Sequence, residues 1–161
     1  MFDKFGEFDS ASELNMSAEG LRTEGDITSL LELAKENGID VADAQDYADG
    51  CMDKLTTPLM AAIGKINVEC AELQPKEIIT DWVEYVKMQC VESEMVAVAV
   101  RRKGKSLKGC IAELLKWSFN NQIPVDKDVI SAAGVKASKV TLGIPGMGTA
   151  KRIIMDYYMR K

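Results

Sequence analysis

The sequence of 161 residues contains no histidine. The chain therefore has no Ser-His-Asp triad, no Cys-His nucleophile pair, no histidine metal site and no histidine pH switch. It also lacks long apolar runs: the longest, Met95–Val100, is far short of the roughly 20 residues that span a bilayer. These absences favour a protein that acts by binding. We expect no catalytic residue, no metal ligand, no cofactor and no membrane segment.

Cysteine occurs four times, but not in the pattern of a disulfide or zinc framework. Neighbouring cysteines are 19 or 20 residues apart, without a C-x-x-C pair: Cys51, Cys70, Cys90 and Cys110. The opening segment MFDKFGEFDS has no basic region followed by an apolar stretch, so no secretory signal is visible. We expect a cytosolic protein with four buried or half-buried free thiols.

Helical periodicity runs through almost the whole sequence. Residues that suit a helix N-cap precede many of the apolar stripes: Ser10, Asp26, Asp40, Thr57 and Asp126. Further helices are predicted over residues 76–91 and 149–160. The strongest amphipathic pattern covers residues 106–121, with an inward face of Leu107, Ile111, Leu114, Leu115 and Phe119. The sequence thus predicts an all-α fold, a compact multi-helix single domain over residues 1–161. Two segments leave a short strand open: Met95–Val100 and Lys139–Ile144.

Charge is divided unequally between the two parts of the chain. Residues 1–100 hold 21 acidic and 7 basic side chains, whereas residues 101–161 hold 4 acidic and 13 basic ones. The formal net charge of −5 therefore combines an acidic part of −14 with a basic part of +9. Such asymmetry indicates charged partners, or two halves that neutralise each other.

Within the acidic part, five aspartates recur every three or four residues: Asp40, Asp43, Asp46, Asp49 and Asp53. On a helix this spacing keeps neighbouring carboxylates close, at a cost to helix stability of a few tenths of a kcal/mol per pair. One interpretation is a row of carboxylates that imitates DNA phosphates and binds a basic groove of a partner. The other is a solvated face. The surrounding LLELAKENGIDVADAQDY has the look of a helix-turn-helix, but these aspartates do not suit a DNA-reading helix.

Within the basic part, five bases fall in eight residues, and a sixth follows on the same predicted helix: Arg101, Arg102, Lys103, Lys105, Lys108 and Lys116. A patch of this kind suits contact with nucleic-acid phosphates or with an acidic protein surface. Alternatively, it packs against the acidic half of the same chain.

A glycine-rich stretch, GIPGMGTAK at residues 143–151, invites comparison with a phosphate-binding loop. The Walker pattern requires lysine next to the last glycine and Ser or Thr after it, whereas here Thr149 precedes Lys151. A tight turn before a helix is the simpler interpretation. A small enzyme that uses this loop remains the weakest functional alternative.

Three segments resemble the PcfK-like family of bacterial mobile elements: ELAKENGIDVADAQDYADGC, RRKGKSLKGCIAELLKWSF and GVKASKVTLGIPGMGTAKRIIMDYY. Together they extend over most of the chain. Some members of this family are anti-CRISPR proteins that inhibit the type II effector nuclease. The resemblance implies a non-catalytic inhibitor in the bacterial cytoplasm, whose partner is that nuclease or its guide and target complex. It assigns no contact residue.

Two binding roles thus follow. In the first, the acidic row occupies the positively charged channel of the nuclease or the arginines that read its adjacent motif. The basic patch then contacts guide RNA, target DNA or an acidic surface. In the alternative, the chain is a conjugation accessory protein that binds DNA or the transfer machinery through its basic half. The oligomeric state is left open by the sequence.

Overall fold

The computed structural model describes residues 2–160, and within them the fold is all-α, as predicted. Nine helices and one pair of two-residue strands occur in this range, and the bounds are α1 Ala11–Glu24, α2 Ile27–Glu36, α3 Val41–Ala48, α4 Pro58–Leu73, α5 Ile78–Glu92, α6 Glu94–Arg101, α7 Leu107–Asn120, β1 Ile123–Pro124, α8 Lys127–Ala132, β2 Thr141–Leu142 and α9 Met147–Met159.

Local capping chemistry sets many of the helix starts. All five predicted N-cap side chains accept a backbone N–H of the first turn, for α1, α2, α3, α4 and α8. Two other helices begin two residues away from the predicted position. Helix α5 begins at Ile78 instead of residue 76, and α9 begins at Met147 instead of residue 149.

The segment Met95–Val100, which the sequence left open, is helical and forms most of α6. This helix packs against α4, α5 and α9, and most of its residues are buried, including Val96, Ala97 and Val100. Its exposed side carries the apolar residues Met95 and Val98, so no polar face reveals a helical period, and periodicity could not separate this helix from a strand.

The buried apolar side chains form two clusters. The N-terminal cluster joins α1, α2 and α3 through residues such as Leu14, Leu30 and Tyr47. The C-terminal cluster joins α4, α5, α6, α7 and α9 through residues such as Trp82 and Leu114. The sequence predicted one domain but not this division of its core.

The two clusters meet at a pair of glycines. Gly38 ends the turn after α2 with a φ of 68°, a left-handed conformation that favours glycine. A Cβ on Gly38 would lie 2.3 Å from the carbonyl oxygen of Gly64, and a Cβ on Gly64 would lie 2.4 Å from that of Asn37. This contact allows the backbone of the turn to lie directly on α4.

The prediction for the inward face of α7 is wrong for two of its five residues. Leu107 and Leu114 are fully buried, but Leu115 is 56% exposed and Phe119 is 75% exposed. Leu115 lies about 100° round the helix from Leu114, beyond the contact with α4 and α9. The apolar stripe is therefore wider than the surface that the core covers.

An arm of residues 121–146 follows α7. Its two strands pair antiparallel, with Ile123 opposite Leu142, and α8 lies in the connection between them. The second of the two open segments, Lys139–Ile144, thus contains the short strand β2. Apart from Pro145, no residue of the arm is buried.

Candidate partner-binding surfaces

The five aspartates of the predicted acidic row lie on α3 and the loop that follows it. Four are exposed, and Asp43 is half-buried. Asp40 is the N-cap of α3 and accepts the N–H of Ala42 at 2.7 Å, while Asp49 accepts the side-chain amide of Gln45 at 2.9 Å. The row is thus a surface feature whose first member also holds its helix in place.

Within residues 2–160, no lysine or arginine forms an ion pair with this row. The carboxylates of Asp43, Asp46 and Asp53 accept no hydrogen bond from any described group. Neighbours three residues apart on a helix have Cβ atoms about 5–6 Å from one another. The result is a local concentration of uncompensated negative charge.

The predicted basic patch divides between the surface and the interior. Arg101 is 1% exposed, and its Nη2 donates to the side-chain oxygen of Asn37 at 2.7 Å. The side chain of Phe2 lies against the guanidinium, with the ring centroid 5.6 Å away. Arg101 therefore belongs to the junction between the two core clusters and is not part of an exposed patch.

The other five bases of the patch reach solvent to different degrees. Lys103, Lys108 and Lys116 are exposed, and Arg102 and Lys105 are half-buried. Lys116 pairs with Glu113 at 2.6 Å, and Lys105 donates to two main-chain carbonyls at the end of α9. Lys103 and Lys108 form no ion pair among the described residues, so these two are the most available cations of the patch.

The acidic residues that contact the loop between α6 and α7 belong to the N-terminal segment and not to the acidic row. Glu7 accepts the ammonium of Lys65 and the N–H of Gly104, and Asp9 accepts the N–H of Lys103 at 2.9 Å. The segment before α1 is thereby fixed on the loop between α6 and α7. The ion pair of this contact, Glu7 with Lys65, lies within residues 1–100, and residues 103 and 104 contribute only backbone N–H groups, so the contact neutralises no side chain of the basic patch.

Buried polar side chains line the junction beneath that segment. Lys65 is 1% exposed and also donates to the carbonyl of Arg102 at 2.8 Å. Burial lowers the pKa of Lys65, and the hydrogen bond from its ammonium to Glu7 opposes this shift. Glu69 accepts the N–H of Leu107, the first residue of α7, at 2.7 Å. Burial raises the pKa of the Glu69 carboxyl above its ordinary value.

The cysteines are free thiols, and three of them are buried or half-buried as predicted. The prediction is wrong for Cys51, which is exposed in the loop after α3, between Asp49 and Asp53. Burial raises the pKa of Cys90 to about 11 and that of Cys110 to about 12.

The glycine-rich stretch forms the turn into α9, with Gly146 as a N-cap that provides no side-chain hydrogen bond. The ammonium of Lys151 lies over the ring of Tyr85, 5.1 Å from its centroid. This lysine thus contacts α5 instead of standing free beside the turn.

Across the described residues, no group of His, Cys, Asp or Glu side chains is arranged to hold a metal ion. None of the helices within residues 2–160 is both long and apolar enough to cross a membrane. The surface depressions are open grooves. One of about 410 Å³ lies between α1 and the loop before α4, and includes Asp53 of the acidic row.

Sequence patterns missed two features of these surfaces. The buried junction of Glu7, Asn37, Lys65 and Arg101 joins residues up to 94 positions apart, so no local signal marks it. The exposed apolar side chains of α7 and the arm were assigned to the core or to a loop. The periodicity of α7 identified an apolar stripe, but it could not show how much of that stripe the neighbouring helices cover.

Comparisons with protein-family models, with curated proteins and with solved structures give no match to this chain.

Proposed function

We propose that this protein is a non-catalytic inhibitor of the type II CRISPR effector, the RNA-guided DNA nuclease, and that its acidic row occupies a nucleic-acid-binding surface of that enzyme. The proposal rests on the resemblance of three segments to the PcfK-like family. The structural observation that supports it is the row of five aspartates, four of them exposed, which has no cationic partner among the described residues.

The physical argument concerns what a basic channel binds. Nucleases of this class hold the guide–target duplex in a positively charged channel and read the adjacent motif with arginines. Carboxylates on consecutive turns of α3 present repeated negative charge at the surface, as a phosphate backbone does. Because none is paired within the described chain, no ion pair has to break before the row binds.

The available lysines of the basic half have a second role in this proposal. Lys103 and Lys108 lie next to and at the start of α7, on a different part of the chain from α3. They would contact guide RNA, target DNA or an acidic protein surface while the acidic row binds the channel.

The test is cleavage of a target plasmid by guide-loaded effector, with and without a molar excess of this protein. The wild-type chain is expected to abolish cleavage. The variant Asp43→Lys/Asp46→Lys/Asp49→Lys is expected to lose at least about tenfold in inhibitory potency, since it reverses the charge of the row. Asp40 is left intact because it caps α3.

A matched control reverses three exposed acids of α5, a helix of the other core cluster: Asp81→Lys/Glu84→Lys/Glu92→Lys. It changes net charge by the same amount and is expected to inhibit like wild type. Full inhibition by the α3 variant would contradict the role of the row. Normal cleavage with wild-type protein, across several divergent effectors, would contradict the proposed function itself.

The second candidate is a conjugation accessory protein that binds DNA through the basic half, and the exposure of Lys103 and Lys108 favours it. Binding of this kind weakens steeply with salt, because lysine contacts release counterions from the phosphates. The variant Lys103→Ala/Lys108→Ala is expected to reduce the slope of log affinity against log salt by about 2. A titration of labelled duplex DNA measures this, and failure of wild type to bind at low salt would exclude this candidate.

A further inference from the structure

Two buried cations lie close together at the junction between the core clusters. Lys65 and Arg101 are each 1% exposed. Burial lowers the pKa of Lys65, and the positive charge of Arg101 adds to this shift. The ammonium of Lys65 donates to the carbonyl of Arg102, the residue next to Arg101, at 2.8 Å. Burying two like charges together is costly unless anions compensate them.

The compensating carboxylate comes from the segment before α1. Glu7 accepts the ammonium of Lys65 at 2.5 Å. Burial lowers the pKa of Arg101, and of the neighbouring charges that oppose this shift Glu7 has the largest effect. Phe2, from the same segment, lies against the guanidinium. Residues 2–9, which we call the N-terminal cover, therefore contact both cations.

The N-terminal cover leaves part of the donor capacity of this junction unused. Nε and Nη1 of Arg101 are buried without an acceptor among the described residues, and only Nη2 is paired, with Asn37. Buried charged donors without acceptors are rare and costly. The N–H of Gly104 reaches Glu7 at 3.3 Å, a long hydrogen bond. One carboxylate thus does not satisfy the donors of Lys65, Arg101 and Gly104.

A phosphate group matches these donors better than a carboxylate does. A phosphate monoester carries about −1.5 to −2 charges at pH 7 and three strong acceptor oxygens. Two buried cations therefore balance its charge. The planar guanidinium of Arg101 is suited to bond two phosphate oxygens at once, and the ammonium of Lys65 and a backbone N–H are suited to the third.

The other acids near the two cations are not placed to repel such an anion strongly. Burial raises the pKa of the Glu69 carboxyl, which favours its neutral form. Asp9 belongs to the N-terminal cover and leaves with it. Glu13 is exposed, so solvent screens its charge.

The N-terminal cover is built to come away more easily than the core. It contains no helix or strand. Its backbone bonds to α2 run from the N–H groups of Lys4 and Phe5 to the Glu36 carboxylate, at 3.2–3.4 Å. Segments that lack regular structure and hold on through such bonds open at lower free energy than packed helices.

We propose that Lys65, Arg101 and the N–H groups of residues 103 and 104 form a binding site for a phosphate group, and that the N-terminal cover occupies this site until such a group displaces it. In the closed state, Glu7 and Asp9 take the place of the ligand. The site is distinct from the acidic row, and its ligand does not depend on the nuclease proposed above as partner.

The first test is calorimetric titration of the full chain with inorganic phosphate, against chloride at the same ionic strength. Glu7→Gln is expected to bind phosphate at least about tenfold more tightly than wild type, because the cover then competes less well for the site. Misfolding does not produce such a gain. The control Glu24→Gln removes an exposed carboxylate at the end of α1 and is expected to bind like wild type. Adding Lys65→Met to Glu7→Gln is expected to abolish the gain.

The second test is hydrogen exchange of the wild-type chain. Saturating phosphate is expected to raise exchange at the backbone amides of residues 2–9, since the cover leaves its site, whereas phosphate held by exposed lysines would leave exchange unchanged. A single-stranded oligonucleotide with a 5′-phosphate is the second probe, and the same strand without that phosphate is its control. An effect of the free ion alone identifies inorganic phosphate as the ligand, and an effect of the phosphorylated strand identifies a nucleic-acid end.

Three outcomes overturn the proposal. If Glu7→Gln binds phosphate no more tightly than wild type, the cover does not occupy a phosphate site. If Glu7→Gln/Lys65→Met binds as tightly as Glu7→Gln, the anion lies elsewhere. If phosphate and both oligonucleotides leave exchange of residues 2–9 unchanged, or both oligonucleotides raise it equally, the cover is not displaced by a phosphate group in this site.

Discussion

At the scale of single residues, the four thiols differ sharply in environment. Cys51 is exposed, Cys70 is half-buried, and Cys90 and Cys110 are buried. The thiolate is the reactive form, and burial raises the pKa of Cys90 to about 11 and of Cys110 to about 12. Reactivity in the folded protein should therefore follow exposure.

We expect that a disulfide reagent in excess at pH 8 labels Cys51 first in the native protein and Cys70 more slowly. Cys90 and Cys110 should react only as the protein unfolds, since both are inaccessible and protonated. Peptide mass mapping over time measures this order, and the unfolded chain, in which all four react, is the control. Labelling of Cys110 as fast as Cys51 would contradict the packing of α7.

A single residue, Gly64, also permits the close contact between α4 and the backbone of Asn37. Gly64→Ala introduces a methyl group 2.4 Å from a backbone oxygen, which cannot rotate away. We expect it to lower the free energy of unfolding by about 2 kcal/mol, within the range for overpacked interiors. Urea unfolding measures the change.

The matched control is Gly20→Ala, at a helical glycine of α1 with no atom within 4 Å of the added Cβ. Here we expect a gain of about 0.5–1 kcal/mol, because alanine loses less conformational entropy than glycine in a helix. Equal effects of the two substitutions would show that the two core clusters do not meet through this pair of glycines.

The roles of single residues were predicted correctly where their contacts lie within a few residues in the sequence. Ser10, Thr57 and the three capping aspartates were identified because an N-cap bonds to a backbone group two or three residues away. Arg101 was misplaced because its environment comes from Asn37 and Phe2, far away in the sequence. A run of three bases predicts an exposed patch, and nothing in RRK indicates that the first is enclosed.

At the scale of elements, a buried carboxyl joins α4 to the start of α7. Glu69 accepts the N–H of Leu107, and its pKa is raised because burial disfavours the charged form. A carboxyl whose pKa is higher in the folded state than in the unfolded state binds more protons when folded. Its contribution is fully present below the unfolded pKa and is lost as pH rises through the folded pKa.

We therefore expect the difference in free energy of unfolding between Glu69→Gln and wild type to shift in favour of the variant as pH rises above about 4.5. Chemical unfolding at a series of pH values, with both proteins in the same buffers, measures it. Glu24→Gln, at an exposed position at the end of α1, is the control for a carboxyl outside the core. A shift in the opposite direction would mean that the hydrogen bond to Leu107 outweighs burial.

The helices also show how far periodicity in the sequence can predict the structure. Amphipathic helices with a polar face are the easiest to identify, and α7 was predicted over residues 106–121, close to its observed bounds, because its polar face reveals the period. Helix α6 gave no such period, because Met95 and Val98 on its exposed side are apolar. For α7 the helix was correct but its orientation was not, since how far a stripe is covered depends on where α4 and α9 lie.

At the scale of the whole molecule, stability is unevenly distributed along the chain. The arm of residues 121–146 buries only Pro145, whereas α9 after it places Ala150, Ile154 and Tyr158 in the C-terminal core cluster. Segments with few buried contacts open at lower free energy than the core. Cleavage of the arm should therefore leave the remainder assembled.

We expect limited trypsin digestion to cut first at lysines of the arm, among Lys127, Lys136 and Lys139. The two fragments should remain together on size exclusion in native buffer, because α9 stays packed on α5, α6 and α7. Separation in denaturant is the control. First cleavage at Lys35 or Arg22, on the helices that form the N-terminal core cluster, would contradict this distribution of stability.

The exposure of Cys51 has a practical consequence for the acidic row. Because it lies between Asp49 and Asp53 and is the most accessible thiol among the described residues, the native chain already carries an attachment point inside the surface that we propose to bind the nuclease. An environment-sensitive fluorophore attached there would report occupancy of the row in real time, without any substitution. A short photo-cross-linker on the same sulfur would record, on the partner, the peptide that it faces.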